Sequence, residues 1–386
     1  MKLYPRHIQQ SLLQRLTVFP IVAITGPRQA GKTTLAKSIA QGLNKDTLYI
    51  DLELPSDLSR LQNAELYFKE NEGKLVIIDE VQRKPELFPL LRALVDQRRH
   101  PARFLILGSA SPEMLRQSSE TLAGRISYLE LTPFHFRELP DISFKQHWLR
   151  GGFPPALFAE KDATAFQWLT DFTTTFIERD LPQFGLSAPA QTLRTLIQML
   201  TGVHGNMLNQ SNLANSLGLT MPTITRYLSY FERSYFIRYL LPWHVNIGKR
   251  LVKTPKLFFQ DSGVLHHLAG IEDMSQLLGN QIAGASWEGY VVQQIIANLP
   301  QNVFPYYYRT KDGSELDIVL IKGNQAVLAI EAKMSASPML SRGNRNAIDD
   351  IGNPPLLVIT PSDGDYPLDK DIRVCGLGDC WKYLPG

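Results

Sequence analysis

Cysteine and long apolar runs are what this sequence has least of. Cys375 and Cys380 are its only cysteines, so neither a disulfide framework nor a zinc site is indicated, and we expect a reducing, cytoplasmic setting. The first ten residues, MKLYPRHIQQ, lack the apolar stretch of a secretion signal, and no apolar run approaches the length of a membrane span. We therefore expect no membrane segment.

The composition is otherwise that of a globular protein. Of the 386 residues, 44% are hydrophobic and 20% are charged, which is typical of chains that fold around a core. The length exceeds the usual size of one core and predicts two or three domains. The formal net charge of +3 permits an anionic partner without requiring one.

A phosphate-binding loop lies within residues 18–36, VFPIVAITGPRQAGKTTLA. The loop has the complete pattern G-x-x-x-x-G-K-[ST], follows a β-branched run and precedes a predicted helix over residues 34–42. Its glycines let backbone N–H groups turn toward a phosphate at the helix N-terminus. Lys32 is expected to reach the β- and γ-phosphates of ATP, and Thr33 to bind Mg²⁺. The predicted nucleotide contacts are Gly26, Pro27, Arg28, Gln29, Ala30, Gly31, Lys32, Thr33 and Thr34.

Two adjacent acids follow a buried strand in residues 74–82, KLVIIDEVQ. In open α/β sheets, ligands bind at the carboxyl ends of parallel strands. We therefore expect Asp79 to hold Mg²⁺ through water and Glu80 to polarise the attacking water. A hydrophobic strand that merely ends in two acids is the alternative.

The next strand, residues 103–109 (RFLILGS), ends in Ser109. This order of elements resembles the AAA-type ATPases, in which an extra strand lies between the two nucleotide-binding strands. The resemblance implies that Ser109, with Ser111 as substitute, senses the γ-phosphate. It also implies that Arg125, at a helix-to-strand junction, reaches the nucleotide of a neighbouring subunit, which would require a homo-oligomer. A solvated surface arginine is the alternative for Arg125.

The middle of the chain predicts a winged helix. Helices are expected from residue 191, after Asn209 or Ser211, and after Thr220, with a glycine-containing turn between the second and third. Arg226 would lie on the recognition helix. Two β-rich runs in residues 237–259 fit a hairpin wing. Its basic residues, which could contact DNA phosphates or form a solvated or protein-binding face, are Lys249, Arg250, Lys253 and Lys256.

The last third predicts a hairpin that brings an acid and an E-x-K pair together. Asp317 lies on the first strand, and Glu331 and Lys333 share one face of the second because side chains alternate along a strand. Such a set can bind Mg²⁺ and orient a water against a phosphodiester. It resembles the PD-(D/E)xK nucleases, with Glu288 matching the helical acid of some members, although no proline precedes the first acid. Acid–lysine sets also persist without cleavage.

Across its length the chain resembles bacterial and archaeal AAA-type ATPases that carry a C-terminal nuclease-like domain of unknown function. This resemblance implies an α/β fold class with three domains. The first is a P-loop (ASCE/AAA-type) parallel-sheet ATPase domain over 1–150. A helical connector with a winged helix follows over 151–265, and an α/β restriction-endonuclease-like domain covers 266–386. The motifs that carry this resemblance include Tyr4-Pro5-Arg6, GPRQAGKTT, IIDEVQ, GGFP and FFQDSG.

The leading hypothesis is an ATPase that uses ATP and Mg²⁺ to drive or gate DNA binding or processing. The alternative is a nucleotide-dependent switch that binds a protein partner and has an inert nuclease-like domain. A kinase is less favoured because Glu80 supplies a water-activating carboxylate and no acceptor pocket is visible in the sequence.

Overall fold

The structure is a computed structural model in which residues 3–109, 122–244 and 251–385 are described. It divides into two compact units. The first unit comprises residues 1–134 with the segments Gln183–Gly185 and Arg233–Phe236, and the second comprises the remainder. The three-domain division predicted from the sequence stays a prediction.

The described part of the first unit is built on a parallel sheet with strand order β2-β3-β4-β1-β5. The strands are β1 (Ile21–Thr25), β2 (Thr47–Asp51), β3 (Leu75–Asp79), β4 (Phe104–Gly108) and β5 (Ile126–Glu130). The α-helices of this part are Gln9–Leu16, Lys32–Gly42, Pro55–Arg60, Ala64–Glu70 and Leu87–Gln97. β4 lies between β1 and β3, as the resemblance to the AAA-type ATPases implies.

The three central strands are buried along their whole lengths. Ile21 and Ala23 face one hydrophobic cluster, whereas Val22 and Ile24 face another on the opposite side of the sheet. Parallel strands covered on both faces read as continuous apolar runs because both sets of alternating side chains are buried. Because the three strands run parallel, their carboxyl ends lie at one edge of the sheet, where polar residues can gather.

Helices dominate the chain from residue 144 to residue 233. They are Phe144–Arg150, Pro154–Leu157, Asp162–Thr175, Leu181–Gln183, Ala190–Thr201, Gln210–Leu217 and Met221–Arg233, with a π-helical turn over Phe176–Asp180. The predicted cap of the second of the last three helices is Asn209, whose Oδ1 accepts from the N–H of Asn212 at 3.1 Å. Gly218 ends that helix with φ +65°. An antiparallel pair follows, β6 (Ile237–Leu240) and β7 (Lys256–Phe259).

A close contact inside the second unit explains two of the glycine motifs. A Cβ on Gly151, whose φ is +73°, would lie 2.0 Å from Oδ1 of Asp261. The Oδ2 of Asp261 accepts from the N–H of Gly152 at 2.8 Å, and its Oδ1 accepts from Val264 at 3.0 Å. The sequences GGFP and FFQDSG therefore meet in the fold, and a buried carboxylate joins them.

The C-terminal part of the second unit contains a mixed sheet with the described strand order β12-β13-β11-β10-β9-β8. The strands are β8 (Val303–Arg309), β9 (Glu315–Lys322), β10 (Gln325–Ala332), β11 (Leu356–Thr360), β12 (Asp365–Asp369) and β13 (Ile372–Gly376). The associated helices are Ser262–Leu268, Met274–Gly279, Ala283–Ala297 and Arg342–Asp350. β8, β9 and β10 form an antiparallel meander, and β11 runs parallel to β10. Within the described residues, no helix has both the length and the apolar character needed to span a bilayer.

Candidate functional site

The phosphate-binding loop joins β1 to the helix Lys32–Gly42 in the first unit. Gly26 adopts φ +149°, and a Cβ there would lie 2.1 Å from the carbonyl oxygen of Leu131. Gly31 is left-handed, with φ +96°, at the N-terminal end of the helix. Glycine is needed at the first position because backbone of the segment after β5 leaves no room for a side chain.

Lys32 is buried and folds back over its own loop. Its Nζ donates to the carbonyl oxygens of Gly26 at 2.9 Å and Pro27 at 2.8 Å. A phosphate oxygen carries more negative charge than a carbonyl oxygen and competes well for such an ammonium. These two contacts place the ammonium over the loop that is predicted to hold the phosphates.

Other loop residues are held by two further neighbours, Arg6 and Gln183. Arg6 donates from Nη1 to the carbonyl of Ala30 at 2.8 Å and from Nη2 to Thr132 at 2.7 Å. Arg28 donates to Oε1 of Gln183 at 2.8 Å within the same unit. The motif Tyr4-Pro5-Arg6 is the only sequence signal for this support.

The two predicted Mg²⁺ residues of the ATP site lie together. Oγ1 of Thr33 donates to Oδ2 of Asp79 at 2.6 Å, and the hydroxyl of Tyr49 on β2 donates to the same oxygen at 2.6 Å. Carboxylate and hydroxyl oxygens are hard ligands of the kind Mg²⁺ takes, so these residues fit this ion. Tyr49 was missed because its place beside β3 depends on sheet order.

Glu80 is held in a left-handed backbone conformation, with φ +55°. Its carboxylate accepts from Oγ of Ser109 at 3.0 and 3.3 Å and from Nε2 of Gln82. Such a conformation costs about 1–3 kcal/mol in a residue other than glycine and persists only where surrounding contacts enforce it. The structure thus brings Glu80 and Ser109 together and adds Gln82, which the sequence alone does not indicate. Ser111 lies outside the described residues.

Arg125 lies in an ion pair within its own unit. Its Nε and Nη2 donate to Oδ1 and Oδ2 of Asp96 at 2.5 and 2.9 Å, and its Nη1 donates to the carbonyl of Ala123 at 2.9 Å. Its side chain is 25% exposed. The hydrogen bond from Arg125 lowers the pKa of Asp96. The role of Arg125 in a neighbouring subunit stays a prediction.

A second polar cluster lies on the C-terminal sheet. Nζ of Lys333 donates to Oε1 of Glu331 at 2.6 Å. Oδ2 of Asp317 accepts from the N–H of Ala332 at 2.9 Å, and the N–H of Asp317 points to Oε2 of Glu331 at 3.4 Å. Asn344, unforeseen from the sequence, donates to Oε1 of Glu331 at 3.0 Å. The predicted hairpin therefore brings the acid and the E-x-K pair together.

Lys256 belongs to this cluster, and its predicted place on an exposed basic strip is wrong. The side chain is 3% exposed. Its Nζ lies 2.8 Å from Oε1 of Glu288, 2.8 Å from Oε1 of Glu315 and 3.7 Å from Oδ1 of Asp317. The physical reason is that β7 is buried along its length, so its first residue points inward toward the partly buried acids Glu288 and Glu315.

The remaining predicted DNA contacts have different positions. Lys253 and Arg226 are exposed, and Arg226 lies on the helix Met221–Arg233. Lys249 and Arg250 lie outside the described residues. The described part of the predicted strip therefore retains Lys253 alone.

The ionisable groups of the cluster shift one another strongly. Burial and the charge of Asp317 raise the pKa of Glu331 to about 7. Burial alone would lower the pKa of Lys256, but the charges of Glu288, Asp317 and Glu315 outweigh it and raise that pKa. Lys256 therefore stays protonated at neutral pH, as a buried cation among carboxylates.

The acids of this cluster do not fit the metal centre predicted at Glu288, Asp317 and Glu331. Among the described residues, no group of three or more His, Cys, Asp or Glu side chains is arranged to hold a metal ion. The ammonium of Lys256 lies against Glu288 and Asp317, and Glu331 is paired with Lys333 and Asn344. The donor set is thus neutralised by groups of the chain itself.

Three family models match consecutive parts of the chain. Residues 18–140 match an AAA domain, residues 141–275 match a domain of unknown function, DUF8612, and residues 283–380 match another, DUF4143. Uncharacterized proteins of Mycobacterium tuberculosis (Rv2008c) and Mycobacterium bovis (Mb2031c) are each 40% identical over 353 residues, which cover 92% of this chain and 79% of theirs. The chain belongs to their family.

In this family member, the AAA-domain match contains the loop, Asp79, Glu80, Ser109 and Arg125. The first unit therefore carries a P-loop ATPase domain. Similar solved structures include the following two. The Walker-type ATPase PABY2304 of Pyrococcus abyssi has 16% identity and a TM-score of 0.47, covering 69% of this chain and 96% of its own. The STAND protein PH0952 of Pyrococcus horikoshii, with a tetratricopeptide repeat sensor, has 13% identity and a TM-score of 0.30, covering 77% and 46%.

Proposed function

We propose that this protein binds ATP with Mg²⁺ and hydrolyses it in the first unit. The observation that carries the proposal is the hydrogen bond of 2.6 Å between Thr33 of the loop and Asp79 of β3, with Glu80 next in the chain. A phosphate loop and a carboxylate pair at one sheet edge supply both the binding and the water-activating parts of phosphoryl transfer. A family match to an AAA domain over residues 18–140 supports it.

Each residue has a distinct part in this proposal. Lys32 would donate to phosphate oxygens in place of its carbonyl partners. Thr33 would bind Mg²⁺ directly and Asp79 would hold it through water, and the ion would supply positive charge against the phosphates. Glu80 accepts a hydrogen bond from the attacking water and orients it. Ser109 fixes the Glu80 carboxylate, because its hydroxyl donates to it at 3.0 Å.

The binding half is tested by titrating a fluorescent ATP analogue with and without Mg²⁺. Lys32→Ala is expected to weaken binding about tenfold or more, since a charge-assisted hydrogen bond contributes about 1.5–3 kcal/mol. Lys69→Ala is the matched control, because Lys69 is exposed and pairs with Glu65 on its own helix, Ala64–Glu70. Equal affinities for both variants would contradict the assignment of the loop.

The finer proposal couples hydrolysis to DNA. It rests on three helices followed by an antiparallel strand pair, an order typical of winged helices, and on the exposed positions of Arg226 and Lys253. We expect ATP hydrolysis to rise with one form of single-stranded, duplex or branched DNA. Replacing Arg226 and Lys253 by Ala should weaken DNA binding and reduce the salt slope by about 1 per lost phosphate contact.

The control for this experiment is Arg345→Ala, because Arg345 is an exposed arginine on the helix Arg342–Asp350. If the double variant and the control bind DNA with the same salt slope, the DNA-binding role of Arg226 and Lys253 is refuted. A hydrolysis rate that no DNA changes would refute the coupling while leaving the ATPase intact.

A second candidate is a nucleotide-dependent switch that acts on a protein partner and does not cleave DNA. The observation that favours it is the buried Lys256, whose ammonium pairs with carboxylates that a nuclease metal ion would need as ligands. This candidate predicts no Mg²⁺-dependent nicking in the wild type. Nicking that is lost in Lys333→Ala would contradict it.

A further inference from the structure

The acidic cluster of the second unit draws its charges from separate elements. Glu288 lies on the helix Ala283–Ala297, Glu315 and Asp317 lie on β9, and Lys256 begins β7. These elements are far apart in sequence, yet one ammonium lies 2.8 Å from Glu288 and 2.8 Å from Glu315. At 3% exposure an unpaired charge would not persist. The ammonium of Lys256 therefore depends on these carboxylates, and they fix its position.

We infer that the ammonium of Lys256 is the resident cation of this cluster and takes the place of a divalent metal ion. Its Nζ has three hydrogens, two of which are directed by short contacts with the carboxylates of Glu288 and Glu315. Nζ also lies 5.5 Å from the ring centroid of Tyr307, whose negative π-face adds a cation–π contact.

The remaining acids of the cluster have donors of their own. Oδ2 of Asp317 accepts from the N–H of Ala332 at 2.9 Å. Oε1 of Glu331 accepts from Lys333 at 2.6 Å and from Asn344 at 3.0 Å. A divalent ion would have to displace these donors and would lie against the positive charge of Lys256. The cluster is therefore a network of ion pairs that connects β7 to β9 and to the helix Ala283–Ala297.

This inference does not depend on ATP hydrolysis and concerns a different unit. It predicts that the acid–lysine set binds no catalytic metal and that removal of Lys256 creates a metal site. Lys256→Met keeps a long side chain but removes its positive charge. The carboxylates then lack a neutralising cation and can bind a metal ion instead.

The test counts Mn²⁺ ions bound to the full chain without nucleotide, by electron paramagnetic resonance of free Mn²⁺. All samples carry Asp79→Asn, which removes the metal residue of the ATP site. The chain with Lys256 is expected to bind no Mn²⁺ at the cluster. The same chain with Lys256→Met is expected to gain one bound Mn²⁺, which also raises its melting temperature.

Two results would overturn the inference. The first is a Mn²⁺ ion bound with Lys256 present and lost in Glu331→Gln, because the cluster would then be a metal site as it stands. The second is a folded Lys256→Met variant that gains no Mn²⁺. The first measurement needs no change at Lys256, so the inference can fail even if Lys256→Met does not fold.

Discussion

Removing the hydroxyl of Tyr49 should weaken the use of Mg²⁺ by the ATP site. The hydroxyl donates to Oδ2 of Asp79 at 2.6 Å, beside the donor from Thr33 at the same distance. Burial, and then the hydrogen bond to Asp79, raise the pKa of Tyr49, so the group remains a donor. Tyr49→Phe deletes that donor and keeps the ring, over which Nζ of Lys37 lies 4.3 Å from the centroid.

The size of the effect follows from the kind of contact that is lost. A hydrogen bond to a charged group contributes about 1.5–3 kcal/mol, and about 1.4 kcal/mol corresponds to a factor of ten. Residues that orient a metal-binding carboxylate commonly change metal affinity about 10- to 100-fold when mutated. We therefore expect the Mg²⁺ concentration for half-maximal ATP hydrolysis to rise about 10- to 100-fold.

The assay measures ATP hydrolysis across a Mg²⁺ series at saturating ATP. Tyr67→Phe is the matched control, because Tyr67 packs against the hydrophobic core of the same unit and should leave the Mg²⁺ requirement unchanged. A Mg²⁺ dependence of Tyr49→Phe equal to that of the wild type would refute the reasoning, because the Asp79 carboxylate would then be positioned without this hydroxyl.

Three further predictions concern Arg125, Gly151 and Asp261. Arg125→Ala should abolish ATP turnover and leave nucleotide binding intact, whereas Asp96→Asn, which removes its partner, should retain turnover; unchanged turnover in Arg125→Ala would end the proposed role. Gly151→Ala should lower the free energy of unfolding, measured in urea, by about 3–5 kcal/mol, because the added Cβ would lie 2.0 Å from Asp261. The control is Gly270→Ala, which has φ +70° but open space around it and should cost only about 1 kcal/mol. Burial raises the pKa of Asp261 to about 6, so its contribution to stability is complete below the unfolded pKa and is lost as the pH rises through 6. The stability difference between wild type and Asp261→Asn should therefore shrink by roughly 3 kcal/mol between pH 4 and pH 7; a constant difference would contradict this.

The ATP site could be predicted from the sequence because its signals are local. The loop pattern fixes the spacing of Gly26, Lys32 and Thr33, and the apolar run before Asp79 places that acid at a strand end. Parallel strands then bring the two segments to one edge of the sheet. Tyr49 and Gln82 could not be assigned, because their contacts depend on which strands are neighbours and on the turn that follows β3.

The charge cluster shows where sequence reasoning failed. Lys256 lies in a basic stretch that is typical of a solvated face, and its burial depends on acids more than thirty residues further along the chain. Asp261 and Gly151 are likewise distant in sequence, so their motifs were noticed but their contact was not. The ion pair of Arg125 with Asp96 joins a strand entry to a helix in the same way. Such non-local pairings decide side-chain direction and are absent from any local pattern.

The most direct test of the central claim is the steady-state rate of ATP hydrolysis by the wild type and by Glu80→Gln. The matched control is Glu86→Gln, because Glu86 is an exposed acid six positions further along the chain. The account predicts a rate about 10²- to 10⁴-fold lower in Glu80→Gln, as expected for the loss of a general base, with ATP binding retained and with Glu86→Gln equal to wild type. Equal hydrolysis by wild type and Glu80→Gln would contradict it.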